Sequence, residues 1–333
     1  MNENRIRIVT DSTADLPAGY AEEHQISVVP LHVTFPKGGQ YKDGVDLTAK
    51  DFYKMLVDAG DYVPKTSTPT KSEFVKVYSD ILAEEPDAKI ISIHISGGLS
   101  ATINVAEASA KEVSPNIFTF DSRNISFGMG LQVQEAIRML KQGSAVQKIL
   151  EHLALVAAHT ETMFCLDTLE FLRKGGRIGK VTAFFGSMFS IKPVVHVKDG
   201  VYHTLDKVRV QKQAIQKMVG HAMKLLDGRE PLRAGVIHGA CESMAEALKA
   251  KCEEAFSKAV DCFTETGAVI GTHTGPGTLG MTICHLFDKT MSGKILHEGL
   301  LQEKMLPENI LPEKTLAEMI QPDKILNHPV FQN

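Results

Sequence analysis

Apolar runs rich in β-branched residues alternate with amphipathic stretches in the first part of the chain, and this alternation restricts the fold more than any other feature. The runs that predict strands are Ile6–Thr10, Ser27–Thr34, Lys89–Ile95 and Asn116–Phe120. The stretches that predict helices lie near Asp15–Glu23, Thr48–Asp58, Thr70–Ala83, Ser100–Val113, Ser126–Lys141 and Ala145–Ala157. Because strands joined through helices form βαβ units, the pattern predicts an α/β fold with a mainly parallel sheet.

The pattern changes near residue 159, where short strands and tight turns take over. Asp199-Gly200 separates two apolar runs, which predicts a β-hairpin. A length of 333 residues suits two domains, because single cores rarely grow beyond about 250–300 residues. We therefore expect α/β domains at 1–158 and 159–290, the second with a mixed or antiparallel sheet. The segment 291–333, with prolines between leucine-rich pieces, predicts an extension of short helical turns that docks on the body or on a second subunit.

Composition narrows the class of protein. A net charge of −4 argues against a general nucleic-acid binder. The five cysteines are scattered without a C-x-x-C pair, as expected of reduced thiols in a cytoplasm. Apolar runs stay shorter than the roughly 18 residues that a membrane span requires. We therefore expect a cytoplasmic protein whose contact with membranes is at most transient.

Two hydroxyl-rich segments stand next to predicted helix starts, Thr66–Pro69 and Ser96–Thr102. The second follows a buried strand, so Ser100 is expected at a strand–helix junction. Backbone N–H groups at helix starts lack partners and favour anions, so these hydroxyls indicate a site for a carboxylate or phosphate without a fixed positive charge. Capping is the alternative, since Ser100 and Thr102 can cap the second helix and a capping box that begins at Thr70 explains part of the first segment.

The turn Asp11-Ser12-Thr13 is expected at the same edge of the sheet, where ligands of open α/β sheets bind. Its residues can contact a ligand or cap the following helix. We expect capping by Ser12 or Thr13.

The strongest basic cluster is Arg173, Lys174, Arg177 and Lys180, which Lys207 and Arg209 can join in space. Lysines and arginines followed by Gly175-Gly176 are typical of a helix C-terminus in solvent. The alternative is a docking surface for an acidic partner, or a contact to a phosphoryl group.

Nucleotide and metal motifs are weak. A G-x-G-x-x-G match at Gly275–Gly280 has no βαβ unit after it, and the chain has no P-loop. His94, His196 and His203 lack the spacing of metal ligands and are expected to be isolated on strands and hydrogen-bonded in place. We therefore expect neither a metal nor a nucleotide cofactor.

A hydrolase is the alternative function. Gly98–Thr102 resembles the G-x-S-x-G turn of serine hydrolases, with Asp121 and His273 following in the order of such enzymes. Ser100 would then be the nucleophile that cleaves acyl esters. Against this, Thr102 replaces the last glycine and no separate oxyanion motif is evident.

Eight segments in order resemble the DegV family, the fatty-acid-binding subunits of bacterial fatty acid kinase. They are Val9–Pro17, Lys65–Pro69, Ser96–Thr102, Phe120–Arg123, Lys174–Ile178, Ile191–Val194, Lys207–Arg209 and Thr272–Thr278. The resemblance extends from about residue 5 to about residue 288. It departs from the family pattern at Thr68, Gly97 and Ala101, where the family usually has Gln, Ser and Gly.

The resemblance implies a fatty-acid tunnel between two α/β domains. The positions implied to bind the fatty-acid carboxylate are Thr66, Ser100 and His273, with Ser67 beside Thr66. The positions implied to dock a kinase or contact the phosphoryl group are Arg209, Arg177 and Arg173. The apolar segment Ala183–Val195 can line the tunnel or belong to the core.

The function implied is that of a carrier rather than an enzyme. The chain is expected to bind a long-chain fatty acid and to present its carboxylate to a separate ATP-binding kinase subunit, which forms the acyl phosphate. A sixteen-carbon chain moved into an apolar tunnel gains on the order of 10 kcal/mol at about 0.8 kcal/mol per methylene. Chain length, unsaturation, oligomeric state and the kinase partner are left open by the sequence.

Overall fold

A computed structural model describes residues 5–36, 38–60, 62–179, 181 and 191–286. The strands are β1 (Ile6–Asp11), β2 (Ser27–Val29), β3 (His32–Phe35), β4 (Gly39–Lys42), β5 (Lys65–Ser67), β6 (Lys89–His94), β7 (Ile117–Asp121), β8 (Thr160–Cys165), β9 (Lys192–Lys198), β10 (Val201–Val208), β11 (Arg233–His238), β12 (Cys262–Glu265) and β13 (Leu279–Cys284). The helices are α1 (Tyr20–Glu23), α2 (Ala49–Asp58), α3 (Lys71–Glu84), α4 (Thr102–Val113), α5 (Phe127–Lys141), α6 (Val146–Ala158), α7 (Glu170–Lys174), α8 (Gln211–Leu226), α9 (Glu242–Phe256) and α10 (Ala268–Thr274). A 3₁₀ turn covers Ser12–Ala14. The predicted extension at 291–333, Lys180 and residues 183–190 lie outside the described residues.

The first sheet has four parallel strands in the order β2-β1-β6-β7. Its inner strand β6 is buried on both faces because helices cover both. Ile90 belongs to an apolar cluster with Phe74 of α3 and Ala106 of α4, on one face. Ile91 belongs to a cluster with Met129 of α5, on the other. The predicted parallel sheet is confirmed.

The segment predicted as one strand, Ser27–Thr34, forms two strands in different sheets. After Pro30 the chain leaves the parallel sheet and enters β3, which pairs antiparallel with β4 and β5. Proline has no N–H with which to continue the ladder, which accounts for the break. Thr66 and Ser67 consequently lie in strand β5 rather than in a turn, and Thr66 pairs with Val33.

The second large sheet has six strands in the order β10-β9-β8-β13-β11-β12. Strands β11 and β12 pair parallel, and the other pairs are antiparallel. Asp199 and Gly200 connect β9 and β10 with φ angles of 53° and 75°. Positive φ at both central residues is typical of a type I′ turn. The predicted hairpin and the mixed second sheet are confirmed.

Helix α5 packs against both large sheets. Its residues from Phe127 to Ile137 are buried, and it contacts β1 and β6 of the parallel sheet as well as β8, β11 and β13. One apolar cluster accordingly contains Ile93 of β6, Val195 of β9 and Ile270 of α10. The loop that follows β6 therefore meets elements of the second sheet.

Candidate functional site

A cavity of about 40 Å³ lies where the loop after β6, strand β5, helix α10 and the loop after α7 meet. Its polar lining residues are Thr66, Ser67, Thr68, Ser100, Arg177 and His273. Its apolar lining residues are Leu31, Ile95, Leu99, Tyr202, Val269 and Ile270. The structure thus gathers five of the predicted site residues around one space.

Thr66 and His273 are joined across this cavity. Thr66 Oγ1 lies 2.8 Å from His273 Nε2, although 207 positions separate the two residues in the chain. Thr66 is held by the pairing of β5 with β3, and His273 lies in the last turn of α10. Two rigid elements therefore fix this contact.

The imidazole of His273 is neutral at physiological pH. Burial and the nearby Arg177 guanidinium lower its pKa to about 4. Its Nδ1 has no hydrogen-bond partner within the part of the chain that the structure describes. Gly175 packs directly against this nitrogen, where a side chain would collide with the ring. His273 therefore contributes a neutral polar group to the cavity.

Ser100 lies in a turn that is fixed from several sides. Its Oγ is 2.9 Å from Thr102 Oγ1 and accepts a hydrogen bond from Thr102 N at 3.3 Å, so a capping contact accounts for part of its bonding. Helix α4 begins at Thr102, two residues later than predicted. Ser96 Oγ donates to the carbonyl of Gly200 at 2.7 Å. Gly98 lies so close to the same carbonyl that a Cβ would be 2.6 Å from it.

Arg177 brings a positive charge to the cavity. Its Nη1 donates to Gly175 O at 2.8 Å and its Nε to Leu99 O at 3.4 Å. It follows α7, whose end is formed by Gly176 at φ 70° and by a hydrogen bond of 2.9 Å from Arg177 N to Leu172 O. The cavity lining thus includes a fixed positive charge, whereas the hydroxyl-rich segments alone indicated an anion site without one.

Two of the predicted basic residues do not line the cavity. Arg209 follows β10, and its backbone N–H donates to Gln213 Oε1 at 3.0 Å. Arg173 lies in the last turn of α7. Their predicted role is therefore separate from the cavity itself.

Tyr202 lines the cavity and was not predicted as a site residue. It lies at the start of β10, two positions after Gly200, and burial raises the pKa of its phenol. The Asp-Gly turn predicts the hairpin from the sequence. The register of that hairpin places Tyr202 beside the turn, and this signal could have found it.

Asp11 rather than its neighbours caps the 3₁₀ turn. Asp11 Oδ1 accepts from Thr13 N at 3.0 Å, so the predicted cap by Ser12 or Thr13 is wrong. Ser12 Oγ accepts from Leu31 N at 3.1 Å and thereby holds a residue of the cavity. His94 is hydrogen-bonded in place, as predicted, with its Nδ1 3.0 Å from Asp11 Oδ2.

The catalytic relay of a serine hydrolase is not formed among the described residues. His273 Nε2 is bonded to Thr66 instead of Ser100. Asp121 accepts hydrogen bonds from the backbone N–H groups of Gly97, at 3.1 Å, and Arg123, at 2.8 Å. An imidazole whose pKa lies near 4 is also a weak general base. The arrangement suits the binding of an anion better than nucleophilic attack.

Within the described residues, the helices are too short or too polar to cross a bilayer. A sequence model of a family described as “Uncharacterised protein, DegV family” matches residues 5–286. A DegV domain-containing protein of Staphylococcus aureus is 33% identical over 276 residues, covering 83% of this chain and 97% of that protein. A DegV domain-containing protein of Deinococcus radiodurans is 34% identical over 280 residues, covering 84% and 98%.

Solved structures show the same fold. A DegV family protein of Thermus thermophilus, described for its fatty acid binding, has a TM-score of 0.78 and 33% identity, covering 85% of this chain and 100% of that one. DegV of Bacillus subtilis, described as a fatty acid binding protein, has a TM-score of 0.76 and 32% identity, covering 84% and 99%. A stearic acid-binding protein of Eubacterium ventriosum has a TM-score of 0.79 and 27% identity, covering 84% and 98%. Together with the match over residues 5–286, these likenesses show that the chain belongs to the DegV family.

Proposed function

We propose that this chain binds one long-chain fatty acid and holds its carboxylate between Thr66 and Ser100, beside Ser67 and His273. The observation that carries the proposal is the single cavity that these side chains line together, although they are far apart in the sequence. The structurally similar proteins of T. thermophilus and B. subtilis are described as fatty-acid-binding, which supports the same ligand class here.

The polar lining suits a carboxylate. When the neutral His273 donates from Nε2 to Thr66 Oγ1, the hydroxyl proton of Thr66 is available to the ligand. Ser100 supplies a second hydroxyl donor, and Arg177 supplies the positive charge. Hydrogen bonds to a charged group contribute roughly 1.5–3 kcal/mol each, so these donors fix the position of the head group.

The tail supplies most of the affinity. One water needs about 10–15 Å³, so a cavity of about 40 Å³ has room for a carboxylate and little more. Leu31, Ile95 and Ile270 line the cavity and would meet the first methylenes. The predicted tunnel segment Ala183–Val195 falls mostly outside the described residues, and its contact with the remaining tail is part of the proposal.

We further propose that the chain presents the bound carboxylate to a separate ATP-binding kinase subunit and does not itself form the acyl phosphate. The sequence has no P-loop to hold ATP. Arg177 lines the cavity, where it can contact an incoming phosphoryl group. Arg173 and Arg209 lie outside the cavity lining and are assigned to docking of the partner.

Binding is tested by native mass spectrometry of the chain purified from a bacterial host, followed by lipid extraction. We expect one fatty acid per chain in the wild type and loss of most of it in Thr66→Ala/Ser100→Ala. The matched control is Thr34→Ala/Ser79→Ala, which removes two exposed hydroxyls and should retain the lipid. Full retention by the first variant would contradict the site. No bound acid and no uptake of added oleate or palmitate would contradict the function.

Presentation is tested by acyl-phosphate formation with ATP and a purified fatty acid kinase subunit. Arg173→Ala/Arg209→Ala should lower the rate without changing the fatty acid bound per chain. The control Lys198→Ala changes an exposed lysine of the hairpin and should leave the rate unchanged. Equal rates in all three proteins would contradict the docking role.

A fluorophosphonate probe should leave Ser100 unlabelled, and labelling there would favour the hydrolase.

A further inference from the structure

A cluster of three side chains lies between the six-stranded sheet and helix α8. It consists of Glu161, His196 and His221. Glu161 is in β8, His196 is in the neighbouring β9, and His221 is on α8, which packs against both strands. Glu161 Oε1 is hydrogen-bonded to His196 Nδ1 and lies 3.3 Å from His221 Nε2. The expectation that His196 is isolated is therefore wrong. Strand pairing and helix packing bring the three side chains together. Their spacing in the sequence gives no sign of this proximity.

We propose that these three residues bind a divalent transition-metal cation, Zn²⁺, with water in the fourth position. Each offers one donor atom, and the three atoms lie within 4.8 Å of one another. Zinc–ligand bonds of about 2.0–2.2 Å in a tetrahedral site place the ligand atoms roughly 3.3–3.6 Å apart. The distance between Glu161 Oε1 and His221 Nε2 already has this value. The closer pair of Glu161 and His196 has to open slightly.

The carboxylate of Glu161 already faces both imidazoles, hydrogen-bonded to His196 Nδ1 and 3.3 Å from His221 Nε2. A bound cation takes the place of the hydrogen-bonding proton on each imidazole nitrogen. A neutral imidazole moves that proton to its other ring nitrogen, and a protonated one releases it to solvent. Two imidazoles, one carboxylate and a water form a ligand set that is typical of zinc.

A second histidine–glutamate pair shows which feature distinguishes this cluster. Glu135 Oε2 lies 2.9 Å from His152 Nε2, but the same carboxylate also pairs with Arg138 and Arg233. A guanidinium cannot be deprotonated to become a ligand, so it blocks that carboxylate from a cation. Within the described residues, the ion pairs recorded for Glu161 are with histidines. His152 therefore provides a matched control.

The cluster is shielded but reachable. The side chains of Glu161 and His196 are 15% and 12% exposed, whereas that of His221 is 28% exposed. A cation and its water can therefore enter from the side of α8. The ring of His203 lies 5.9 Å from that of His196, centroid to centroid, and adds a further imidazole beside the cluster. A bound cation would tie α8 to β8 and β9.

The test is titration of the untagged full chain, treated with a chelator, with Zn²⁺ by calorimetry and with Co²⁺ by visible absorption. We expect one cation per chain and the intense absorption of tetrahedral Co²⁺. His196→Gln and His221→Gln should each weaken binding by more than roughly 100-fold, the upper range for outer-shell partners. His152→Gln should bind as the wild type does. No binding by the wild type, or wild-type affinity in both cluster variants, would overturn the proposal.

A second measurement keeps the test valid if one variant folds poorly. Zn²⁺ should raise the thermal midpoint of the wild type and of His152→Gln, and leave that of His221→Gln unchanged. His221 is on a helix surface, so its replacement by Gln should be tolerated. Equal midpoint shifts in wild type and His221→Gln would contradict the site. Fatty acid retention, measured in parallel, reports the proposed function independently, because none of the three residues lines the cavity.

Discussion

His273 combines deep burial with two close neighbours at the cavity. Thr66 holds its Nε2 at 2.8 Å, and Gly175 leaves no space beside Nδ1. The ring can therefore move little, and protonation would place a charge next to the guanidinium of Arg177. A neutral, fixed imidazole restricts the orientation of the Thr66 hydroxyl at the cavity.

This burial makes stability depend on pH. The pKa of His273 is about 4 in the folded chain, against an ordinary value of 6.5. The unfolded chain therefore binds the proton more tightly, and stability falls as pH decreases from 6.5 toward 4. We expect the His273 contribution to decrease by about 2 kcal/mol between pH 7 and pH 4.5. Urea unfolding at both pH values should show that His273→Gln loses this much less stability than the wild type. Equal losses would contradict the assignment.

Gly175→Ala tests how tightly the ring is confined. Gly175 has φ −78°, so alanine adds no backbone strain, but its Cβ would collide with the imidazole. Overpacking typically costs about 1–3 kcal/mol of stability, and we expect fatty acid affinity to fall as well because the displaced ring changes the cavity. Gly176→Ala is the control, because its Cβ has open space and only the positive φ of 70° is strained. Displacement of a fluorescent fatty acid measures the affinity of both variants. An unchanged affinity in Gly175→Ala would show that the position of the His273 ring is unimportant for binding.

The sequence predicted the site residues that carry a recognisable local pattern. Thr66, Ser100 and His273 stand in hydroxyl-rich or glycine-rich segments, and the structure brings them to one cavity. Arg177 was predicted as part of a basic surface, because a helix C-terminus with lysine and arginine looks the same in sequence whether it faces solvent or a cavity. Tyr202 has only the indirect signal of the hairpin turn and no motif of its own.

Among the elements, α10 has the most direct effect on the site, because it carries His273. Its N-terminus is held by carboxylates from the first part of the chain. Asp15 Oδ1 accepts from Gly267 N and Asp43 Oδ1 from Ala268 N, both at 2.8 Å. Burial raises the pKa of Asp15 to about 7 and that of Asp43 to about 6. The position of the helix thus depends on distant residues.

Asp43→Ala should loosen α10 without touching the cavity. A backbone N–H of Ala268 would lose its acceptor, which typically costs about 1–3 kcal/mol of stability. We expect weaker fatty acid binding as well, because His273 moves with the helix. Asp46→Ala is the control, since Asp46 is exposed in the same segment and accepts from Lys42 N at 3.0 Å. Titration with a fluorescent fatty acid measures the affinity of each variant. Equal affinities in the two variants would contradict the role of Asp43.

Sequence patterns predicted the long helices better than the short strands. The capping box of Thr70 and Glu73 starts α3 as expected, and apolar periodicity marks α5 within one residue at its start. Strands β4 and β5 were not predicted, because pairing with β3 defines them and such partners are not visible locally. The break at Pro30 has a local signal, the missing N–H, and could have been predicted.

In the whole molecule, the shared core around α5 should make the two sheets unfold together. A ligand that binds the folded state adds RT ln(1 + [L]/Kd), or about 2.7 kcal/mol at a hundredfold excess over Kd. For a chain of this size, we expect oleate to raise a single thermal transition by several degrees. Differential scanning calorimetry measures this. Two transitions, of which oleate moves only one, would contradict the common core.

The distant partners of α10 also have a consequence during protein synthesis. Asp43 precedes Ala268 by 225 positions, and Thr66 precedes His273 by 207. While the ribosome is still making the second half, the carboxylates, the Thr66 hydroxyl and the loop after β6 can already be in place, but they lack the helix that completes the cavity. If the cavity holds a fatty acid as proposed, a nascent chain cannot bind it there until residue 274 has left the exit tunnel.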